Sequence, residues 1–220
     1  MGTDIHMIAE VRKDGVWHTF LDDIFVKWEG TQFERQTCIP YDGRNYGLFA
    51  ILADVRNGVG FAGFRTGEKF NPISKPKGYP EDIAKESYGF LGDEWRHHSA
   101  SYLTLKEIFD FDWTQIHRSF GVVSEKDYRD HVMKGELPDL WCRDISVPDC
   151  IKISEVEMVD LIQDSYPREE GKYYYTACYF APETYADFAK TFLKNMKILK
   201  CFVPENGSLD DVRIVFDFDS

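Results

Sequence analysis

Ile5, Met7, Ala9 and Val11 recur at every second position near the start of the chain, a period that predicts a half-buried strand over residues 3–12. A second run, 16–28, follows the turn signal Asp14-Gly15, so the two runs predict a hairpin, with Asp22-Asp23 marking a bulge or bend in the second. The period lengthens over 43–56: Asn45, Phe49, Leu52 and Arg56 share one side of a helix that Asp42 can cap and Asn57-Gly58 can end. Residues 58–100 are rich in Gly and Pro and have little period, which predicts a long irregular loop. Thr104 and Glu107 form a capping box with Leu103 and Ile108 as its staple, and Ser124 with Asp127 repeats that logic before a short helix to about Met133. Strand-like runs at 151–161 and 172–180 follow, then a helix opened by Ala181-Pro182-Glu183 and running to about 197. Val212, Ile214, Phe216 and Phe218 finally alternate with Arg213, Val215 and Asp217 as a last half-buried strand. The pattern as a whole is α+β: a mixed or antiparallel sheet with helices mainly on one side. One compact domain of 220 residues is expected, with a family-like part over 1–135 and an α+β part over 140–220 as its internal division.

The opening strand also carries candidate chemistry. Asp4 and His6 are two positions apart and share the face opposite Ile5 and Met7. A carboxylate beside an imidazole can hold a divalent metal, fix a histidine tautomer or shape a polar pocket. The plainer alternative makes Asp4 a turn residue and His6 a partly buried core residue. Arg44, with Asn45 beside it, lies near a helix N-terminus, where free N–H groups favour an anion; Arg56 lies near the C-terminus, where a cation is simply stabilising. A structural salt bridge is the default for either arginine. The His97-His98 doublet has Asp93 and Glu94 upstream and Ser99 and Ser101 downstream. Adjacent side chains point apart, so one histidine can enter a pocket, and His98 would then complete a catalytic or metal-binding set with Asp4 and His6; a solvated loop is the equal alternative. Dense motifs are missing: there is no His-Glu-x-x-His, Walker A or Gly-x-Ser-x-Gly, and Gly58-Val59-Gly60 follows a helix rather than the strand a dinucleotide fingerprint requires.

Composition narrows the classes. A formal charge of −12, from 38 acids against 26 bases, opposes direct binding to nucleic acid or anionic membrane, yet admits an acidic protein that mimics nucleic acid. Aromatic residues make up 15% of the chain, more than a core needs, so some suit a groove or a subunit interface, a homo-oligomer included. No apolar run is long enough for a membrane span, and the N-terminus lacks the basic-then-apolar order of a signal peptide, which together predict a cytoplasmic protein. Cys38, Cys142, Cys150, Cys178 and Cys201 are odd in number, widely spaced and without a Cys-x-x-Cys pair, as expected of reduced thiols rather than a zinc site or disulfide framework.

Four segments in order, Gly2-Thr3-Asp4-Ile5-His6, Gly43 to Asn57, Pro72 to Pro80, and His98-Ser99 with Leu103-Thr104-Leu105, resemble a family of uncharacterised proteins found in bacteriophages and bacteria. Members open with Gly-Cys-Asp-Ile-His; here Thr3 replaces the cysteine, and the resemblance spans roughly residues 1–113. It implies that Asp4, His6, Arg44, Asn45, Arg56, Asn57 and His98 belong to one pattern, and that an accessory or host-takeover role in a host cytoplasm is open. Two functions are therefore expected in competition. One is a hydrolase or binding protein for a phosphate-bearing small molecule such as a phosphoester or nucleotide, metal-assisted if a divalent ion is held by Asp4, His6 and His98, with Arg44, Asn45 and Arg56 binding the anion. The other is a non-catalytic acidic protein that engages a basic host protein.

Overall fold

The computed structural model describes residues 2–29, 33–60, 63–92, 97–142 and 148–219. In chain order the elements are β1 (Ile5–Lys13), β2 (Val16–Thr19), β3 (Phe25–Glu29), β4 (Phe33–Thr37), α1 (Tyr46–Ala53), α2 (Lys85–Leu91), β5 (His97–Thr104), α3 (Leu105–Asp110) and β6 (Ile116–His117). They continue as β7 (Phe120–Ser124), α4 (Glu125–Asp130), β8 (Cys150–Lys152), α5 (Glu155–Ile162), β9 (Tyr173–Tyr179), β10 (Glu183–Thr184), α6 (Tyr185–Phe188), α7 (Lys190–Leu199) and β11 (Val212–Asp219). Antiparallel sheets with helices packed alongside make the fold α+β, as the pattern predicts. Two compact units interleave along the chain: Met1–Asn57, Phe70–Thr114 and Tyr185–Ser220 form the first, and Gly58–Lys69 with Gln115–Thr184 the second. The division expected between 135 and 140 falls inside the second unit.

The first unit is built on a four-stranded antiparallel sheet in the order β2-β1-β11-β5. Asp14 and Gly15 both take positive φ, 51° and 80°, which matches the twist of the β1–β2 hairpin. Ile5, Met7, Ala9 and Val11 of β1 pack with Val212, Ile214, Phe216 and Phe218 of β11 against apolar residues of α1, α3 and α7. On the other face Ile8 and Val215 pack with Leu91 of α2. The last strand, which reads as half-buried by itself, is therefore central and covered on both faces.

Helix α1 is shorter than its sequence period. Asn45, not Asp42, is the N-cap, its Oδ1 accepting from the Leu48 N–H at 3.0 Å, and Asp54 in the left-handed region (φ 59°) ends the helix ahead of Asn57. Asp42 instead pairs with Lys27. The irregular stretch expected over 58–100 is broken by α2 and then by β5. Helix α2 has no local side-chain cap; the Ala84 N–H at its start donates to the buried Glu10 carboxylate at 2.8 Å. A cap supplied 74 residues away leaves no trace in the local sequence.

In the second unit β9 pairs antiparallel with β7 and parallel with β8, and β6 pairs with β10. Val123, Tyr128, Met158, Leu161, Tyr174, Cys178 and Phe180 form its core. The strand expected over 151–161 is corrected here: β8 ends at Lys152 and α5 begins at Glu155, behind a Ser154–Glu157 capping box. The helix expected from 181 begins instead at Tyr185 and is interrupted at Ala189. All five cysteines are free thiols, and among the described residues no helix is long and apolar enough to cross a membrane.

Candidate functional site

The face of the four-stranded sheet on the α2 side gathers His6 and His97 of the polar groups singled out above. Register places His6 opposite Asp217 and, on the far side of β11, His97 opposite Asp219. The His6 and His97 rings stack with centroids 4.6 Å apart and planes 16° from parallel. His97 Nδ1 lies 2.8 Å from the Leu91 carbonyl oxygen and 3.0 Å from Asp217 Oδ2. A carbonyl oxygen only accepts, so Nδ1 carries the proton and the lone pair of the neutral ring is on Nε2. No hydrogen bond from the described residues reaches Nε2.

Asp217 is fully buried. Its Oδ2 also accepts from the Tyr79 hydroxyl, but its Oδ1 is shut from solvent without a hydrogen-bond partner among the described residues. Burial pushes the Asp217 carboxyl above the usual carboxylate range, against the opposing pull of the Tyr79 and His97 hydrogen bonds. Burial, then the bond to Asp217, likewise raises the Tyr79 phenol. His6 Nε2 is a second buried atom without a hydrogen bond, 3.5 Å from Asp219 Oδ2. Such atoms are uncommon in native interiors, where leaving one unpaired costs about 1–3 kcal/mol.

A β-bulge decides which histidine joins this face. Phe216 pairs with Ser101 while Phe218 pairs with His98, so β5 spends one more residue than β11 over that interval, and Ser99 takes a left-handed φ of 55°. His98 is thereby set on the core face, its ring 6.2 Å from Phe218 and its Nδ1 bonded to Ser99 Oγ at 2.9 Å. In an unbulged ladder His98 would lie opposite Asp219 and His97 would be displaced. The expected set of Asp4, His6 and His98 therefore does not converge.

The arginines are committed to structural roles. Arg44 grips Asp4 with two bonds, Nε to Oδ1 at 2.7 Å and Nη2 to Oδ2 at 2.5 Å, which hold the Asp4 carboxyl below its ordinary range. Gly2 makes room for that pair, because a Cβ there would lie 2.7 Å from Arg44 Nη1. Arg56, itself at a left-handed φ of 56°, donates to the buried Thr3 hydroxyl from Nε and Nη2 at 2.9 and 2.7 Å. Asn45 caps α1 and donates to the Phe188 carbonyl at 2.7 Å, and Asn57 bridges Asp54 and the Phe70 backbone. Arg44, Asn45 and Arg56 thus do not form a preassembled anion pocket.

Among the described residues no three His, Cys, Asp or Glu side chains are arranged to hold a metal ion. For the expected metal set the reason is visible: Asp4 is taken by Arg44, and His98 lies on the opposite face. Asp93 and Glu94 lie outside the described residues. Residues that the local pattern does not bring to this site are Tyr79, His97 as the member of its doublet that faces it, Asp217 and Asp219. The signal for the two aspartates is the polar phase of the final strand, where Asp217 and Asp219 stand two apart as Asp4 and His6 do in the first. No family model, curated protein or solved structure matches the chain.

Proposed function

We propose that His6, His97, Asp217 and Tyr79 form a general acid–base site for a small molecule, and that the protein is a small-molecule hydrolase with phosphoesters and nucleotides as its first candidate substrates. The observation that carries this reading is the fixed His97 tautomer, with Nδ1–H held by Leu91 and Asp217 and Nε2 left without a hydrogen-bond partner among the described residues. His97 Nε2 takes a proton from the attacking water, Asp217 stabilises the imidazolium through Nδ1, and the proton returns to the leaving oxygen. His6 restrains the ring by stacking on it, and Tyr79 orients Asp217.

Turnover of a panel of phosphomonoesters, phosphodiesters and nucleotides tests the reading. His97→Gln should lose about 10²–10⁴-fold in kcat, as expected for removal of a general base, while His98→Gln retains activity. Equal losses in the two variants, or an inert protein across the panel, sink it. The inert outcome would favour an acidic interaction protein, a reading supported by the −12 charge and by the exposed Trp28 and Leu140. Salt-sensitive binding to a basic partner would then be its mark.

A further inference from the structure

The second unit carries a separate cationic surface. Gly67 sits at φ 156°, and a Cβ there would lie 2.6 Å from the Arg118 carbonyl oxygen and 2.7 Å from His117 Cε1. Its bare backbone lets residues 66–68 lie against residues 118–120, with Glu68 N–H donating to the Arg118 carbonyl at 3.2 Å and Phe120 N–H to the Thr66 carbonyl at 2.8 Å. That contact brings Arg65 and Arg118 to one ring. Each guanidinium carbon lies 5.3 Å from the Tyr179 centroid, and Arg65 is also 5.3 Å from Phe120, the cross-strand neighbour of Tyr179.

The pair departs from five other arginines in its partners. Arg12, Arg44, Arg129, Arg168 and Arg213 each meet a carboxylate. Arg65 and Arg118 are exposed and meet none among the described residues, although acids outnumber bases 38 to 26. Among the described residues Arg65 donates only to the Tyr179 hydroxyl, and no hydrogen bond involves the Arg118 guanidinium.

We infer that Arg65 and Arg118, braced on Tyr179 and Phe120, form a binding site for a free nucleotide. The rings beside the guanidinium groups restrain them, leaving N–H donors for a phosphate, and a planar guanidinium is a surface on which a base can stack. The net negative charge of the whole chain favours a small anion over a long polyanion, since only two cations are concentrated here.

Calorimetric titration with adenosine 5′-monophosphate tests the site, using the full chain and a His97→Gln background so that the proposed acid–base site is assessed separately. Binding with Kd on the order of 0.1 mM, weakened at least tenfold by Arg65→Gln and by Arg118→Gln in folded protein, and retained in His97→Gln, is expected. Binding undetectable at millimolar nucleotide, or untouched by both arginine variants, overturns the site. Inorganic phosphate binding as tightly as the nucleotide overturns the stacking component. An eight-nucleotide single strand binding more than tenfold tighter than the monomer would replace the free nucleotide with a strand.

Discussion

Two cross-strand pairs on one face of the β1–β11 ladder have opposite fates. Glu10 faces Arg213 toward one end and His6 faces Asp217 toward the other, and three of these four residues are buried below a tenth of their surface. Every group at the Arg213 end is answered: Nε donates to Glu10 at 2.7 Å, Nη1 and Nη2 to Asp82 at 2.8 and 3.2 Å, and the guanidinium lies 3.9 Å over the Trp17 ring. The remaining Glu10 oxygen accepts the Ala84 N–H. At the His6 end Asp217 Oδ1 and His6 Nε2 are buried without hydrogen-bond partners among the described residues. A polar network with every member paired is a structural clamp, whereas unpaired buried atoms beside a tautomer-fixed histidine are what the proposed acid–base site would account for.

The contrast should show most strongly in Arg213→Met. Removing this guanidinium strands Glu10 in the interior, and urea denaturation should lose about 3–5 kcal/mol. Asp217→Asn should have the opposite sign. The native Asp217 carboxyl is raised, so it binds its proton more tightly folded than unfolded, and its ionisation destabilises the fold as pH rises through the folded value. The neutral variant should therefore gain about 0.5–2 kcal/mol at pH 7, with the advantage vanishing below the ordinary carboxylate range. A loss at pH 7, or a gain independent of pH, would place Asp217 with the structural clamp.

Ser99→Gly should raise stability by about 1 kcal/mol, because a left-handed residue loses its Cβ clash while the bulge and the His97 placement persist. Arg44→Gln should move the melting midpoint least of all, since the pair with Asp4 is solvent-exposed. What it removes shows in acid: Asp4 loses the partner that holds its carboxyl low, so the stability this pair adds above the unfolded carboxylate range, and loses as pH falls through the folded value, should disappear from the profile.

Much of the architecture is local and therefore readable. The Asp14-Gly15 hairpin, the Thr104–Glu107 box and the apolar phases of β1 and β11 follow from turn chemistry, capping and a period of two. The start of α5 was equally local, in Ser154 and Glu157, but the apolar residues around it read as a strand. Helix α2 is different in kind, because its first N–H is satisfied by Glu10 from another element.

The site divides along the same line. Residue order alone sets Asp4 and His6 on one face, places Asp217 and Asp219 in one phase, and brings two histidines side by side. It does not say which of His97 and His98 turns outward, since one extra residue in β5 reverses every side chain beyond it, and that bulge exists only in register with β11. Nor does it say that Arg44 is consumed by Asp4 and Arg56 by Thr3. Periodicity is a property of neighbours along the chain, but pairing, register and the satisfaction of buried polar atoms are properties of strands that meet from opposite ends of it.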